Sequence, residues 1–170
     1  MLKNSHIVLA IILILGAILM PGCNAGLGAA QAKNGNTVQV DYTGKLADGT
    51  VFDTSIGREP LEFTLGAGQM IPGFEKAVLG MKVGEKKTVT IPANEAYGPR
   101  RDDLVIEVGR EKLPKDITPK VGLMLETTQP DGGKVRFTIT SVSDNTVTMD
   151  ANLSLAGKDL TFEIELVKIQ

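Results

Sequence analysis

Residues 37–53, TVQVDYTGKLADGTVFD, decide how the chain folds. Val38, Val40 and Tyr42 alternate with polar neighbours, the period of two expected of a strand buried on one face. Ala47-Asp48-Gly49-Thr50 carries turn chemistry, with Gly49 free to take the conformations that other residues avoid. Val51-Phe52-Asp53 then resumes as a strand. The stretch is predicted as an antiparallel hairpin over 38–53.

Outward from the hairpin, Leu61 to Leu65 alternates again and stops at Gly66. Across Pro72–Met81 (PGFEKAVLGM) the period changes. Phe74, Ala77, Val78 and Met81 follow i, i+3, i+4, i+7, which predicts one short amphipathic helix ended by Gly80 and Gly84. Lys86–Ile91 reads as a strand closed by Pro92, and Leu160–Ile169 alternates strictly. Between them Leu104–Val108, Val121–Thr128, Lys134–Val142 and Thr146–Asp150 are predicted strands rich in Val, Thr and Ile. Pro114 and Pro119 keep 111–120 irregular, and turns fall at 129–133 and 143–145. One helix among antiparallel strands predicts the α+β class, with a small all-β unit of about 50 residues inserted before the last strand.

Composition narrows the chemistry. The 170 residues are 42% hydrophobic and 22% charged, which excludes a disordered, collagenous or polytopic membrane protein. A net charge of −2 argues against nucleic-acid binding. The one His (His6) and one Cys (Cys23) both lie near the N-terminus. No intrachain disulfide can form, and Cys/His metal sites and His-assisted nucleophiles are excluded from the rest. Neither metal nor cofactor is expected. The aromatic supply is small: two Tyr, five Phe and no Trp.

The N-terminus reads as an address. Ile7–Met20 is an unbroken apolar run after Lys3. As a helix it spans about 21 Å against ~30 Å for a hydrocarbon core, which suits a signal-peptide core better than a membrane span. Leu19-Met20-Pro21-Gly22-Cys23 resembles a bacterial lipobox. That resemblance implies removal of 1–22, lipid on Cys23 and stable anchoring by two acyl chains at the extracytoplasmic side of the cell envelope. An ordinary cleaved signal, giving a secreted or periplasmic protein, stays open. Residues 23–35 are small and polar and read as a flexible tether.

Several quoted stretches then fall into a family order. They are Tyr42-Thr43-Gly44-Lys45-Leu46 with Asp48–Asp53, Pro60-Leu61-Glu62-Phe63 with Leu65-Gly66, and Met70-Ile71-Pro72-Gly73-Phe74-Glu75. Gly80-Met81 with Val83-Gly84-Glu85, Ile91-Pro92-Ala93 with Ala96-Tyr97-Gly98, and Phe162–Leu166 follow. As an ordered set over nearly all of 37–170 they resemble the FKBP-type peptidyl-prolyl isomerases. An insert that opens after Tyr97-Gly98 and returns through Asn152-Leu153-Ser154-Leu155-Ala156-Gly157 resembles the SlyD-like branch. The His-Pro common in that return loop is replaced here by Leu153-Ser154, and the His/Cys-rich metal-binding tail of some members is absent from the sequence.

The resemblance implies a curved antiparallel sheet wrapped on one short helix. Residues 36–102 and 152–170 would form the isomerase domain, and 103–151 an insert-in-flap, chaperone-like domain that binds unfolded chains. The implied catalytic residues are Tyr97, donating to the substrate carbonyl, Asp53, near the rotating amide, and Tyr42, which Asp53 orients and which also forms part of the wall. Phe52, Phe63, Met70, Ile71, Phe74 and Phe162 would bind substrate, with the Ile71 N–H holding a second carbonyl. Phe74 stands where many members carry Trp. Implied partners are extended proline-containing polypeptides and FK506-like macrolides, and a monomer is expected. Such a site needs no His or Cys, since rotating an X-Pro bond moves no proton. The alternative is a non-catalytic polypeptide-binding module, or holdase, on the same fold. Arg100-Arg101, beside Asp102-Asp103, reads as a solvated loop.

Overall fold

Among the described residues, 30–129 and 132–170 of the computed structural model, the chain forms two antiparallel sheets and one α-helix. The signal segment 1–22 and Cys23 lie outside the described residues. In order the elements are β1 (Thr37–Lys45), β2 (Val51–Thr54), β3 (Leu61–Thr64), α1 (Pro72–Val78), β4 (Lys86–Ile91), β5 (Val105–Gly109), β6 (Met124–Thr128), β7 (Lys134–Val142), β8 (Thr146–Asp150) and β9 (Leu160–Ile169). The α+β class expected from the periodicities is the class observed.

The first sheet runs β2-β1-β9-β4, with β3 also on β1. Thr43–Lys45 of β1 pair with β2, and Thr37–Val40 pair with β3, so β2 and β3 share one side of β1. β9 takes the other side along almost its whole length. The chain's last strand therefore sits at the centre, between β1 and β4. Its alternation sends Leu160, Phe162, Ile164 and Leu166 inward, where they meet Val38 and Val40 of β1 and Phe74, Ala77 and Val78 of α1. Removing this apolar surface from water is the main favourable contribution to the fold.

α1 lies close on β4 because Gly73 has no side chain. A Cβ there would stand 2.3 Å from Ile91 Cγ2, a distance no real contact tolerates. The periodicity predicts a helix reaching Met81, but it ends at Val78. Gly80 takes φ 81° and its N–H turns to the Ala32 carbonyl at 2.8 Å. Met81 is buried all the same, carried in by that turn rather than by a helical face.

Ala32 in return donates to Met81 O at 2.8 Å, is 2% exposed, and is flanked by a Gln31–Lys82 bridge. The last part of the stretch read as tether is thus docked on the domain. Ala32 is small enough to slip under the turn, and its backbone finds partners there.

The second sheet runs β5-β8-β7-β6. β6, β7 and β8 form the expected meander, while β5 joins from outside by pairing with β8. Its core is Ile139, Val147 and Met149, covered by Val108, Leu113, Leu123, Leu125, Phe137 and Val142. β6 begins at Met124 rather than Val121 because Gly122, at φ 87°, breaks the strand. Among the described residues no helix is long and apolar enough to cross a membrane, and no group of His, Cys, Asp and Glu is placed to hold a metal.

Candidate active site

Five rings from four strands and the helix meet on the inner face of the first sheet. Phe74 lies 5.2 Å from Phe162, 5.8 Å from Tyr42 and 5.9 Å from Phe63, centroid to centroid. Phe162 continues the chain to Phe52 at 5.7 Å and Tyr42 at 6.2 Å. The Phe74 contacts with Tyr42 and Phe162, and the Phe52–Phe162 contact, are edge-to-face; each aromatic pair is worth about 0.5–1.5 kcal/mol beyond its burial. Phe63, Phe74 and Phe162 are buried, so only the partly exposed Tyr42 and Phe52 offer much surface to a ligand. Met70 and Ile71 pack half-buried against the same core.

Gly44 makes room for this arrangement. It faces Phe162 across the β1–β9 ladder, and a Cβ on it would reach 2.6 Å from Phe52 Cζ and 3.0 Å from Phe162 Cε1. Gly44→Ala is expected to push Phe52 outward. Overpacking of this kind costs about 1–3 kcal/mol. The expected result is a lower Tm together with a raised KM for a proline tetrapeptide. An unchanged Tm and KM would contradict the packing.

At the rim, the Tyr42 hydroxyl donates to Asp53 Oδ2. Asp53 Oδ1 accepts from Arg58 Nη2 at 2.8 Å and from the Thr54 N–H at 2.9 Å, and Arg58 also donates to the Thr54 carbonyl. Burial, reinforced by the neighbouring Asp53 carboxylate, pushes the Tyr42 hydroxyl up to about 12. The Tyr42 hydrogen bond, with help from Thr54 and Arg58, holds Asp53 below the usual carboxylate range. At neutral pH Tyr42 is therefore a neutral donor and Asp53 an anion. Behind them the buried Ser55 accepts the Tyr42 N–H at 2.9 Å and donates to Asp41 Oδ1 at 2.9 Å, fixing the strand from which Tyr42 projects. Tyr42, Ser55, Arg58, Glu59 and Leu61 line a cleft of about 370 Å³.

Tyr97 stands apart. It follows the 3-10 turn Ala93–Glu95, is 42% exposed, and makes no ring contact with the five. Its hydroxyl has no hydrogen-bond partner among the described residues. The Ile71 N–H, just before α1, is likewise without a partner among the described residues. Glu75 holds the loop leading to Met70 and Ile71, its Oε2 accepting the Gly66 N–H at 3.0 Å.

Sequence reasoning brings Tyr42, Phe52, Asp53, Phe63, Met70, Ile71, Phe74 and Phe162 to this region, and the structure gathers all eight on or beside the ring cluster. It leaves Tyr97 on an exposed loop. Arg58, Ser55 and Glu75 were not legible as site residues: each is an ordinary polar residue whose partner is set by tertiary contact. In the second sheet, the apolar Leu123, Leu125, Val108, Phe137 and Ile139 point into that sheet's own core. The apolar side chains it leaves in solvent are Ile106, Val121 and Met124, the last 72% exposed.

The family model described as FKBP-type peptidyl-prolyl cis-trans isomerase matches residues 28–167. The short-type peptidyl-prolyl cis-trans isomerase of Methanocaldococcus jannaschii is 39% identical over 153 residues, covering 81% of this chain and 94% of that protein. The FKBP-type peptidyl-prolyl cis-trans isomerase SlyD of Treponema pallidum is 36% identical over 134 residues, covering 78% of this chain and 75% of that protein. The FK506-binding protein 2 of Yarrowia lipolytica is 56% identical over 69 residues, 40% of this chain and 48% of that protein.

Proposed function

The chain belongs to the FKBP-type peptidyl-prolyl cis-trans isomerase family, and from that membership we propose an envelope folding enzyme in which the ring cluster takes the proline while the second sheet holds the client chain. The observation that carries this reading is the convergence of Tyr42, Phe52, Phe63, Phe74 and Phe162 beside the Tyr42–Asp53–Arg58 network.

The chemistry follows from the amide. The X-Pro bond rotates over about 18–20 kcal/mol because twisting it destroys C–N resonance. The planar form carries charge on its carbonyl oxygen that water stabilises and an apolar wall does not. Transfer to the rings therefore raises the planar form relative to the twisted one. Tyr97 and the Ile71 N–H, both without a partner among the described residues, would hold flanking carbonyls so that rotation is confined to one bond. Asp53, kept anionic by Tyr42 and Arg58, would face the rotating amide. No proton moves and no covalent bond forms. FK506-like macrolides would compete for the same rings.

The second sheet supplies the capture surface. β5 and β6 are its two edges, and an edge strand offers unpaired backbone groups to an extended chain. Exposed Ile106 lies on β5, and exposed Met124 opens β6 with Val121 just before it. Lipid on Cys23 would tether the protein, as a monomer, at the extracytoplasmic face of the envelope. The docked Ala32 brings the tether in at Gly80 and Met81, beyond the end of α1 opposite Ile71.

The test is a proline-limited refolding assay on Tyr97→Phe combined with Asp53→Ala. Tyr97→Phe removes one donor to a substrate carbonyl, and Asp53→Ala removes the acceptor that orients the Tyr42 hydroxyl beside the amide; at ~0.5–1.5 kcal/mol for each hydrogen bond, kcat/KM is expected to fall about 5- to 150-fold. Wild-type acceleration by the double variant would refute these roles.

A further inference from the structure

The chain passes between the two sheets twice, outward through 98–104 and back through 150–157, and the two passages are bonded along their length. The Gly157 N–H donates to the Gly98 carbonyl at 2.8 Å, and the Ala151 N–H to the Leu104 carbonyl at 3.0 Å. Between these, Asn152 behaves as a side-chain strand partner. Its Oδ1 accepts the Arg101 N–H at 2.9 Å and its Nδ2 donates to the Arg101 carbonyl at 2.8 Å. Asp150, with its side chain 9% exposed, completes the joint. Its Oδ2 meets Arg100 Nη1 at 2.6 Å, and its Oδ1 accepts from the Asn152 N–H at 2.8 Å and Nδ2 at 2.7 Å. The passages lie so close that a Cβ on Gly157, which holds φ 75°, would come within 2.9 Å of Arg100 Cβ.

We propose that Asp150 and Asn152 are positioning residues that make this crossing a fixed joint and thereby set the enzyme's preference for long, unfolded substrates over short peptides. The proposal rests on the reading that the second sheet captures clients. Two domains joined by a bare linker pair move relative to one another by default. A captured chain then samples many positions, and its effective concentration at the rings falls as the accessible span widens. Here the crossing is bonded at four levels, Gly98–Gly157, Arg101–Asn152, Arg100–Asp150 and Leu104–Ala151. A client held on the second sheet therefore meets the ring cluster at one span. The joint begins at Gly98, immediately after Tyr97, so the loop bearing the free hydroxyl and the mount of the second sheet are continuous.

The test measures kcat/KM on a proline tetrapeptide and on a proline-limited refolding protein for Asp150→Asn, Asn152→Ala and Arg100→Lys, with Tm alongside. For Asp150→Asn and Asn152→Ala the refolding value is expected to fall about fivefold, through KM, a fraction of the ~10²-fold that linkage can supply. The tetrapeptide value stays within about twofold. Arg100→Lys, which preserves the charge pair, keeps both values. Asn152→Ala carries the test if Asp150→Asn does not fold. Equal falls on both substrates overturn the proposal, since the joint then serves Tyr97 or general stability. No fall on the refolding protein overturns it as well, provided that excising the second sheet does lower that rate. If excision has no effect, the capture reading itself is lost, and the joint's role with it.

Discussion

Excising residues 105–150 and linking Leu104 to Ala151 is expected to lower catalysis of proline-limited refolding about 100-fold, the scale by which a second binding module raises effective concentration. The rate on a tetrapeptide is expected to stay within about twofold, because no hydrophobic residue of the excised sheet packs against the core that holds the five rings. The cut is structurally clean. The Ala151 N–H already donates to the Leu104 carbonyl at 3.0 Å, so the two ends are neighbours. The two sheets also bury separate cores, one around Phe74, Leu160 and Leu166 and the other around Ile139, Val147 and Met149. Stopped-flow refolding and a peptide assay on the same preparation decide the matter. An equal loss on both substrates would show that the second sheet supports the fold of the first rather than delivering clients to it.

Phe74→Ala is expected to destabilise the protein by about 3–5 kcal/mol, the range for removing a buried Phe. Phe74 is 1% exposed and touches Tyr42, Phe63 and Phe162, so the cavity opens at the centre of the cluster and cannot collapse from one side. Urea unfolding should show the midpoint falling with an unchanged m-value, and tetrapeptide turnover should be lost as the rings lose their mutual support. Phe74→Leu should cost clearly less, since most of the volume is kept. A loss below about 1 kcal/mol in Phe74→Ala would mean that the surrounding rings repack, and that Phe74 does not support the site. Phe74→Trp separates packing from preference: the position has no spare room, so the larger ring is expected to destabilise by about 1–3 kcal/mol.

Much of the fold was legible because its elements announce themselves locally. The alternation of 37–42 and 160–169 and the change of period at Pro72 each describe a short piece of backbone and the face it buries. Met81 shows the limit of that reading. Its spacing placed it on the helix, and it is buried, but the helix had already ended because Gly80 turns to bond Ala32. The insert shows it again: only the pairing of β6 on β7 decided that Leu125 and Phe137 face inward while Met124 faces water. Arg100 was read with its acidic neighbours in a solvated loop. Arg101 does pair locally with Asp103, while Arg100 reaches Asp150 on the returning passage.

Local pattern was enough for the strands, the one helix of the described residues, the insertion of an all-β unit in another fold, and the family whose motifs run in order from Tyr42 to Phe162. These depend on periods of two and 3.6 and on turn residues, all properties of a few consecutive residues. Long-range pairing places the last strand between β1 and β4, which carries Phe162 into contact with Phe52, Tyr42 and Phe74. Tertiary contact alone set Arg58 on Asp53, left Tyr97 outside the rings, and locked the crossing through Asp150 and Asn152. The physical reason is that such contacts join residues far apart in the chain, and their partners are chosen by strand register and sheet order, which no local pattern encodes.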